Sequence, residues 1–222
     1  MRTIEKTIYK FDELDKDIQE KLIKEEKEYC FNSYMENFFQ DDMEHKAQEL
    51  VDDYFGGDAD FIQTYYSLSY SQGDGAMIEF DINIEDLNNK YNLFSVEEMR
   101  FIMDKGIINY ISVRHNDNHY YHEYTFNVDY EYYNDWSYDD IKDDYKITEF
   151  NFNSIEDRMY ELLDSSNKHY TESMFIKDII NMNRELVKFG YNTIENYEED
   201  IDFVIENFSE NEYYENGDVY YG

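Results

Sequence analysis

Thr64-Tyr65-Tyr66-Ser67-Leu68-Ser69-Tyr70-Ser71-Gln72-Gly73-Asp74-Gly75-Ala76-Met77-Ile78-Glu79-Phe80-Asp81-Ile82-Asn83-Ile84 is the stretch that decides the fold. Tyr66, Leu68 and Tyr70 alternate with Tyr65, Ser67 and Ser69. Beyond Gln72-Gly73-Asp74-Gly75, the set Ala76, Ile78, Phe80, Ile82 and Ile84 alternates with Met77, Glu79, Asp81 and Asn83. A period of two on both sides of a Gly-Asp-Gly turn predicts a β-hairpin over 64–71 and 76–84 with one buried face.

Downstream, a second hairpin is expected, 107–114 against 119–133 around Asn116-Asp117-Asn118. In its second strand Tyr120, His122, Tyr124, Phe126, Val128 and Tyr130 would share one face, and Tyr121, Glu123, Thr125, Asn127, Asp129 and Glu131 the other. Ser95 and Glu98 form a capping box ahead of Val96, Met99, Ile102 and Met103, which predicts a helix over 96–105 ending at Gly106. Residues 146–153 read as a further strand, followed by a short helix from Ser154 to about Leu163. Upstream, residues 12–28 and 31–54 read as two helices, the second closed by Gly56-Gly57. Helical spacing returns over 170–189, closed by Gly190, and again over 194–208. The end, Glu212–Tyr221 around Asn216-Gly217, predicts a two-residue hairpin turn.

Helices at both ends with hairpins between them indicate an α+β fold: an antiparallel sheet covered on one face by helices, the outer surface acidic. With no proline, no Ser/Gly-rich linker and no repeat, one domain over 1–222 is the reading, with an N-terminal helical part at about 12–55, hairpins at about 64–153 and C-terminal helices at about 154–208.

The charge narrows the function. The 222 residues carry 53 acids against 19 bases, a net −34, yet 19% are aromatic, which a solvated disordered chain would lack. Residues 1–28 hold seven bases and nine acids, residues 29–222 twelve bases and 44 acids, so the acidity belongs to the body of the chain. A solubility requirement of about 2–8 charges is exceeded several-fold. Such a field repels phosphate, so direct binding to nucleic acid or an anionic bilayer is disfavoured and the favoured partner is basic. No stretch is apolar enough to span a membrane, the N-terminus lacks a signal-peptide core, and the single Cys30 makes no internal disulfide, so the cytoplasm is the expected compartment.

The densest acidic tract is Asp129, Glu131, Asp135, Asp139, Asp140, Asp143 and Asp144, interleaved with Tyr130, Tyr132, Tyr133, Trp136, Tyr138 and Tyr145. Duplex DNA presents one negative charge per about 1.7 Å of its axis, an array that carboxylates on strands and helices can imitate. A second tract, Glu195, Glu198, Glu199, Asp200 and Asp202, places like charges one turn apart without lysines, against the preference of a helix. Glu44, Glu49, Asp52, Asp53, Asp58 and Asp60 form a third. For each, an ordinary solvated face is the competing reading.

Metal and catalysis find less support. His119 and His122 differ by an odd number and point to opposite faces of a strand, so with His115 and Glu123 they do not converge on zinc. The calcium-loop spacing is absent, and so are phosphate-binding glycine motifs and any nucleophile–histidine signature. No cofactor, metal or catalytic residue is expected.

Thr7-Ile8-Tyr9-Lys10-Phe11-Asp12-Glu13-Leu14 and Tyr66-Ser67-Leu68-Ser69-Tyr70-Ser71-Gln72-Gly73-Asp74-Gly75 together resemble a loose group of small proteins encoded by phages and mobile elements. In that group a "YxFDEL" opening leads to a Lys/Glu helix and a "YSLSYSQGDG" hairpin. The group shares no common activity, and this chain departs from it in its acidity. The resemblance implies a mobile-element origin, hence a setting in host-defence inhibition. There, acidic DNA mimics act as anti-CRISPR or anti-restriction factors, by occupying the groove that holds phosphates or reads the protospacer-adjacent motif. An antitoxin-like module that neutralises a basic toxin and a metal-dependent hydrolase are the alternatives.

Overall fold

The computed structural model describes residues 6–56, 61–105, 108–116, 120–132, 152–164, 168, 171–199, 208 and 210–221, and among the terminal residues of some elements the backbone only. Contacts divide the chain into two compact units, Met1–Gln40 with Tyr191–Gly222, and Asp41–Gly190. Both boundaries fall inside helices, at Gln40 and Gly190, so no linker marks them in the composition.

Among the described residues six α-helices and one sheet form, giving the expected α+β class. In chain order they are α1 (Lys16–Asn37), α2 (Phe39–Phe55), β1 (Ile62–Ser67), β2 (Gly75–Asn83), α3 (Ile84–Tyr91), α4 (Val96–Lys105), β3 (Ile108–His115), β4 (Phe126–Tyr132), α5 (Phe152–Leu163) and α6 (Met174–Glu199). The sheet is antiparallel, in the order β1-β2-β3-β4.

The hairpin that decided the fold is present, with Thr64 opposite Ile78 and Tyr66 opposite Ala76, but its strands are displaced. β1 ends at Ser67, so Leu68, Ser69, Tyr70 and Ser71 belong to the turn region, and Ile84 opens α3 instead of ending β2. Its turn is organised by Asp74, whose carboxylate accepts from the amides of Ser69 (2.7 Å) and Ser71 (2.8 Å) and from the hydroxyls of both. Alternation puts Ala76, Ile78, Phe80 and Ile82 of β2 with Ile111 and Val113 of β3 on the inner face, all buried. Helices cover that face: Phe55 of α2 stacks on Phe80 at 5.6 Å and meets Phe175 of α6 at 5.5 Å. Asn183 of α6, fully buried, accepts from the amide of Ile78 and donates to the carbonyl of Glu123. It serves the strand where pairing to β3 stops at Phe80.

Several boundaries differ from the sequence reading, each for a local reason. Gly190 does not end a helix: α6 runs from Met174 to Glu199. A Cβ there would meet the Leu68 side chain and lie 3.2 Å from the Met43 sulfur, so the glycine permits close packing. The first two helices break at Phe38, not near residue 30. Its amide closes the last turn on the Tyr34 carbonyl, and Phe38 is exposed while Phe39 is fully buried. An unforeseen helix, α3, follows β2 directly, capped by the Asn83 side chain on the Glu85 amide and ended by Asn92 in the left-handed region. β4 starts at Phe126, because Thr125 closes a turn on His122 with both its amide and its hydroxyl; Tyr120, His122 and Tyr124 therefore lie outside the strand. Phe152 and Asn153 open α5 instead of ending a strand, and the rest of the strand expected over 146–153 lies outside the described residues.

In the first unit Leu14, Phe208 and Tyr213 form a small core on which Phe11, Ile18 and Leu22 pack. The C-terminal hairpin is present, with Tyr213 bridged to Val219 and Gly217 at φ 89°, and Tyr213 also bridges to Tyr9.

Candidate functional site

The outer face of the sheet holds the one fully described member of the first acidic tract. In β4, Asp129 is exposed and stands opposite Ser112 of β3, which itself stands opposite Asp81 of β2. Asp81 is not free: Ser112 donates to it at 2.7 Å and Arg114 pairs with it at 2.5 Å, while the guanidinium also donates to the carbonyls of Phe80 and Val113. One row along, Glu79 is 8% exposed and accepts from the His115 amide at 2.7 Å. Burial, then the Glu79 charge, raises the Tyr65 phenol. The His115 ring stacks on Tyr65 at 5.3 Å, and its Nε2 is buried without a hydrogen-bond partner among the described residues.

This face is therefore not uniformly wet and acidic. β2 is buried on both faces from Gly75 to Phe80, and at Gly75 the backbone of Tyr121 and His122 lies against it. Only the Asp129 end presents an unpaired carboxylate among the described side chains.

The other predicted residues are distributed as follows. Glu131 is in β4 with its side chain outside the described residues, and Asp135, Asp139, Asp140, Asp143 and Asp144 lie outside them entirely. Glu195 is exposed on α6. Glu198 and Glu199 end that helix with side chains not described, and Asp200 and Asp202 lie beyond it, outside the described residues. Asp129 and Glu195 belong to different units. Of the third tract, Asp58 and Asp60 fall outside the described residues; Glu49 is engaged by Lys46 at 2.9 Å and by His45, and Asp52 by Gln48.

The disposition of the cations is what sequence reasoning missed. The unit 41–190 carries 33 acids and 12 bases. Among the described residues, five of those bases reach partners far away in the sequence, while Lys46 pairs locally with Glu49. Lys90 pairs with Asp178 at 2.7 Å and lies over the rings of Tyr54, Phe55 and Tyr91. Arg158 of α5 pairs with Glu98 of α4 and donates to the Leu93 carbonyl at 2.8 Å. Its hydrogen bond holds the Glu98 carboxyl down at about 2. Arg114 takes Asp81, as above. Lys168 donates to the carbonyls of Tyr124 and Phe126, and burial lowers it to about 8. Arg184 reaches Glu123 and the Tyr124 hydroxyl. Two tyrosines join in: Tyr91 donates to Asp178, and Tyr54, pushed up to about 12 by burial and its bond to Glu185, donates at 2.8 Å. The capping-box motif pointed to Glu98, but its partner, 60 residues away, had no sequence signal.

Beside these clamps lies an open groove of about 920 Å³, bordered by the ends of α3 and α5 and the start of α6. Among the described residues no group of three or more His, Cys, Asp or Glu is placed to hold a metal ion, and no helix is long and apolar enough to cross a membrane. No protein-family model, curated protein or solved structure matches the chain.

Proposed function

We propose that the protein is a binding protein rather than an enzyme: an acidic DNA mimic that inhibits a nuclease of bacterial defence. A CRISPR effector is the leading target and a restriction complex the second. Its carboxylates would occupy the basic groove that receives target DNA, in the cytoplasm of the infected host. The observation that carries the reading is the division of labour among charges. Among the described residues, five of the twelve cations of the unit 41–190 are drawn into contacts with distant internal partners, while exposed carboxylates such as Asp41, Asp53, Glu85, Glu97, Asp129 and Asp157 stay outside. Residues 191–222 add ten acids and no base. A negative exterior of this kind repels nucleic acid and steers a basic groove toward itself.

The test is capture of nucleases from a lysate expressing CRISPR and restriction effectors, followed by displacement. Release by competitor duplex DNA, and an affinity that falls at least tenfold between about 50 and 200 mM salt, are the expected outcome. Reversal of Asp139, Asp140, Asp143 and Asp144 to lysine should abolish inhibition; retained inhibition would sink the assignment of that tract. Capture of a small basic toxin alone, with rescue of growth, would favour the antitoxin reading instead.

A further inference from the structure

The groove beside α5 is built to hold its shape. Three sets of contacts pin its walls: Arg158 joins α5 to the Leu93 carbonyl and Glu98, Ser173 donates to the Leu162 carbonyl, and Lys90 with Tyr91 engages Asp178. The Ser173 hydroxyl also accepts from the Ile176 amide, capping α6. Among the described residues both cations of the walls, Lys90 and Arg158, are consumed in this bracing. Lys177 nearby reaches the Glu172 carbonyl oxygen rather than its carboxylate.

What remains for a ligand is of one kind. Glu161 and Glu172 line the groove, exposed, and no cation pairs with either among the described residues. Beside them Tyr160 is 72% exposed and Met174 is 64% exposed, two large apolar side chains left in water on adjoining walls. α3 and α5 end at the groove, and a helix C-terminus favours positive charge. A braced concavity that offers carboxylates, an aromatic face and a thioether suits a guanidinium on an apolar stem. Arginine fits better than lysine here, because its planar head both stacks on a ring and pairs with a carboxylate.

We propose that this groove takes an arginine-bearing segment of the basic partner. The guanidinium is held by Glu161 and Glu172 and stacked on Tyr160, and the flanking apolar side chain rests against Met174. The inference rests on the reading of a basic partner and adds a shape-specific anchor to what would otherwise be a diffuse electrostatic match. Pre-bracing of the walls limits the ordering cost of docking.

The probe is the peptide acetyl-LRLRL-amide, titrated into the full ¹⁵N-labelled chain with amide shifts followed by NMR and affinity by calorimetry. Two matched peptides carry citrulline or lysine in place of arginine. Shifts confined to the end of α5, the start of α6 and the 91–93 turn are expected. The citrulline peptide should bind at least tenfold more weakly and the lysine peptide about threefold more weakly. Glu161→Gln with Glu172→Gln should weaken the arginine peptide at least tenfold, and Tyr160→Ala about fivefold. Asp41→Asn with Glu85→Gln, which removes the same charge from exposed positions on α2 and α3, should change it less than twofold. Equal weakening by both double variants, or shifts spread over the whole acidic surface, would overturn the groove. Peptide binding with no nuclease captured would keep the groove and remove the nuclease reading; nuclease inhibition with no peptide shifts would do the reverse.

Discussion

The helix α1 of the first unit and the helices of the second place their ion pairs differently. In the first, α1 buries no residue and alternates Lys with Glu along its surface, and its pair Lys21–Glu25 is 3.7 Å long with both side chains at least 60% exposed. In the second, pairs such as Arg158–Glu98 and Lys90–Asp178 join distant helices, and their side chains are mostly covered. Local pairing leaves the surface charge of α1 nearly balanced, whereas each long-range pair in the second unit takes one base and one carboxylate inward together, leaving fewer bases at the surface among the unpaired carboxylates. The acid excess is compositional, since each pair removes one charge of either sign; what the pairing decides is where the remaining bases sit, because a base that braces the interior no longer screens its surface neighbours.

The sharpest way to break the contrast is at the backbone packing of the second unit. Gly75→Ala would drive a Cβ into the Tyr121 carbonyl and to 2.9 Å from His122 Cα, backbone atoms that cannot turn aside. A loss of about 3 kcal/mol in urea unfolding is expected, at the upper end of overpacking costs. Arg158→Ala should follow, at about 2 kcal/mol, because it leaves Glu98 and the Leu93 carbonyl without their partner in a part-buried site. Lys21→Ala, in contrast, should fall within about 0.5 kcal/mol, as exposed i,i+4 pairs do. If Lys21→Ala matched Arg158→Ala, the contrast between the units would fail.

Acid titration sharpens it further. The Glu98 carboxyl is held at about 2 in the folded protein, below its ordinary value of 4.5, so the pair contributes fully above pH 4.5 and its contribution is lost as pH falls toward 2. Protonation of the many surface carboxylates acts in the other direction over the same range, by relieving self-repulsion. Glu98→Gln should therefore be less stable than the parent at pH 7, with the difference shrinking between pH 4.5 and 2. A difference that stayed constant with pH would show that the pair holds no proton-linked stability.

The fold was legible where the cause was local. Alternation around Gly73-Asp74-Gly75 gave the antiparallel pairing of β1 with β2, and Ser95 with Glu98 gave α4 with the expected bounds. Reading failed where packing decides. Gly190 looked like a stop because nothing in the sequence shows that Leu68 and Met43 crowd it, and β4 began late because Thr125 bonds back to His122. Of the candidate site, charge excess was visible at once, but which carboxylates stay unpaired depends on partners such as Arg114 for Asp81, 33 residues away. Glu161 and Glu172 lay in no dense tract, and only the meeting of α3, α5 and α6 sets them around one groove.

The bridge between Tyr9 and Tyr213, made by two amide–carbonyl bonds of 2.9 Å, has a consequence for synthesis. The unit 41–190 is one continuous stretch, and all of its pairings can form once residue 190 has left the ribosome. The first unit is split between the two ends, so Leu14 and Ile18 must wait for Phe208 and Tyr213 before they have a core to join. During translation α1 is a solvated Lys/Glu helix with its apolar flank uncovered, and the order of completion runs from the middle of the chain outward.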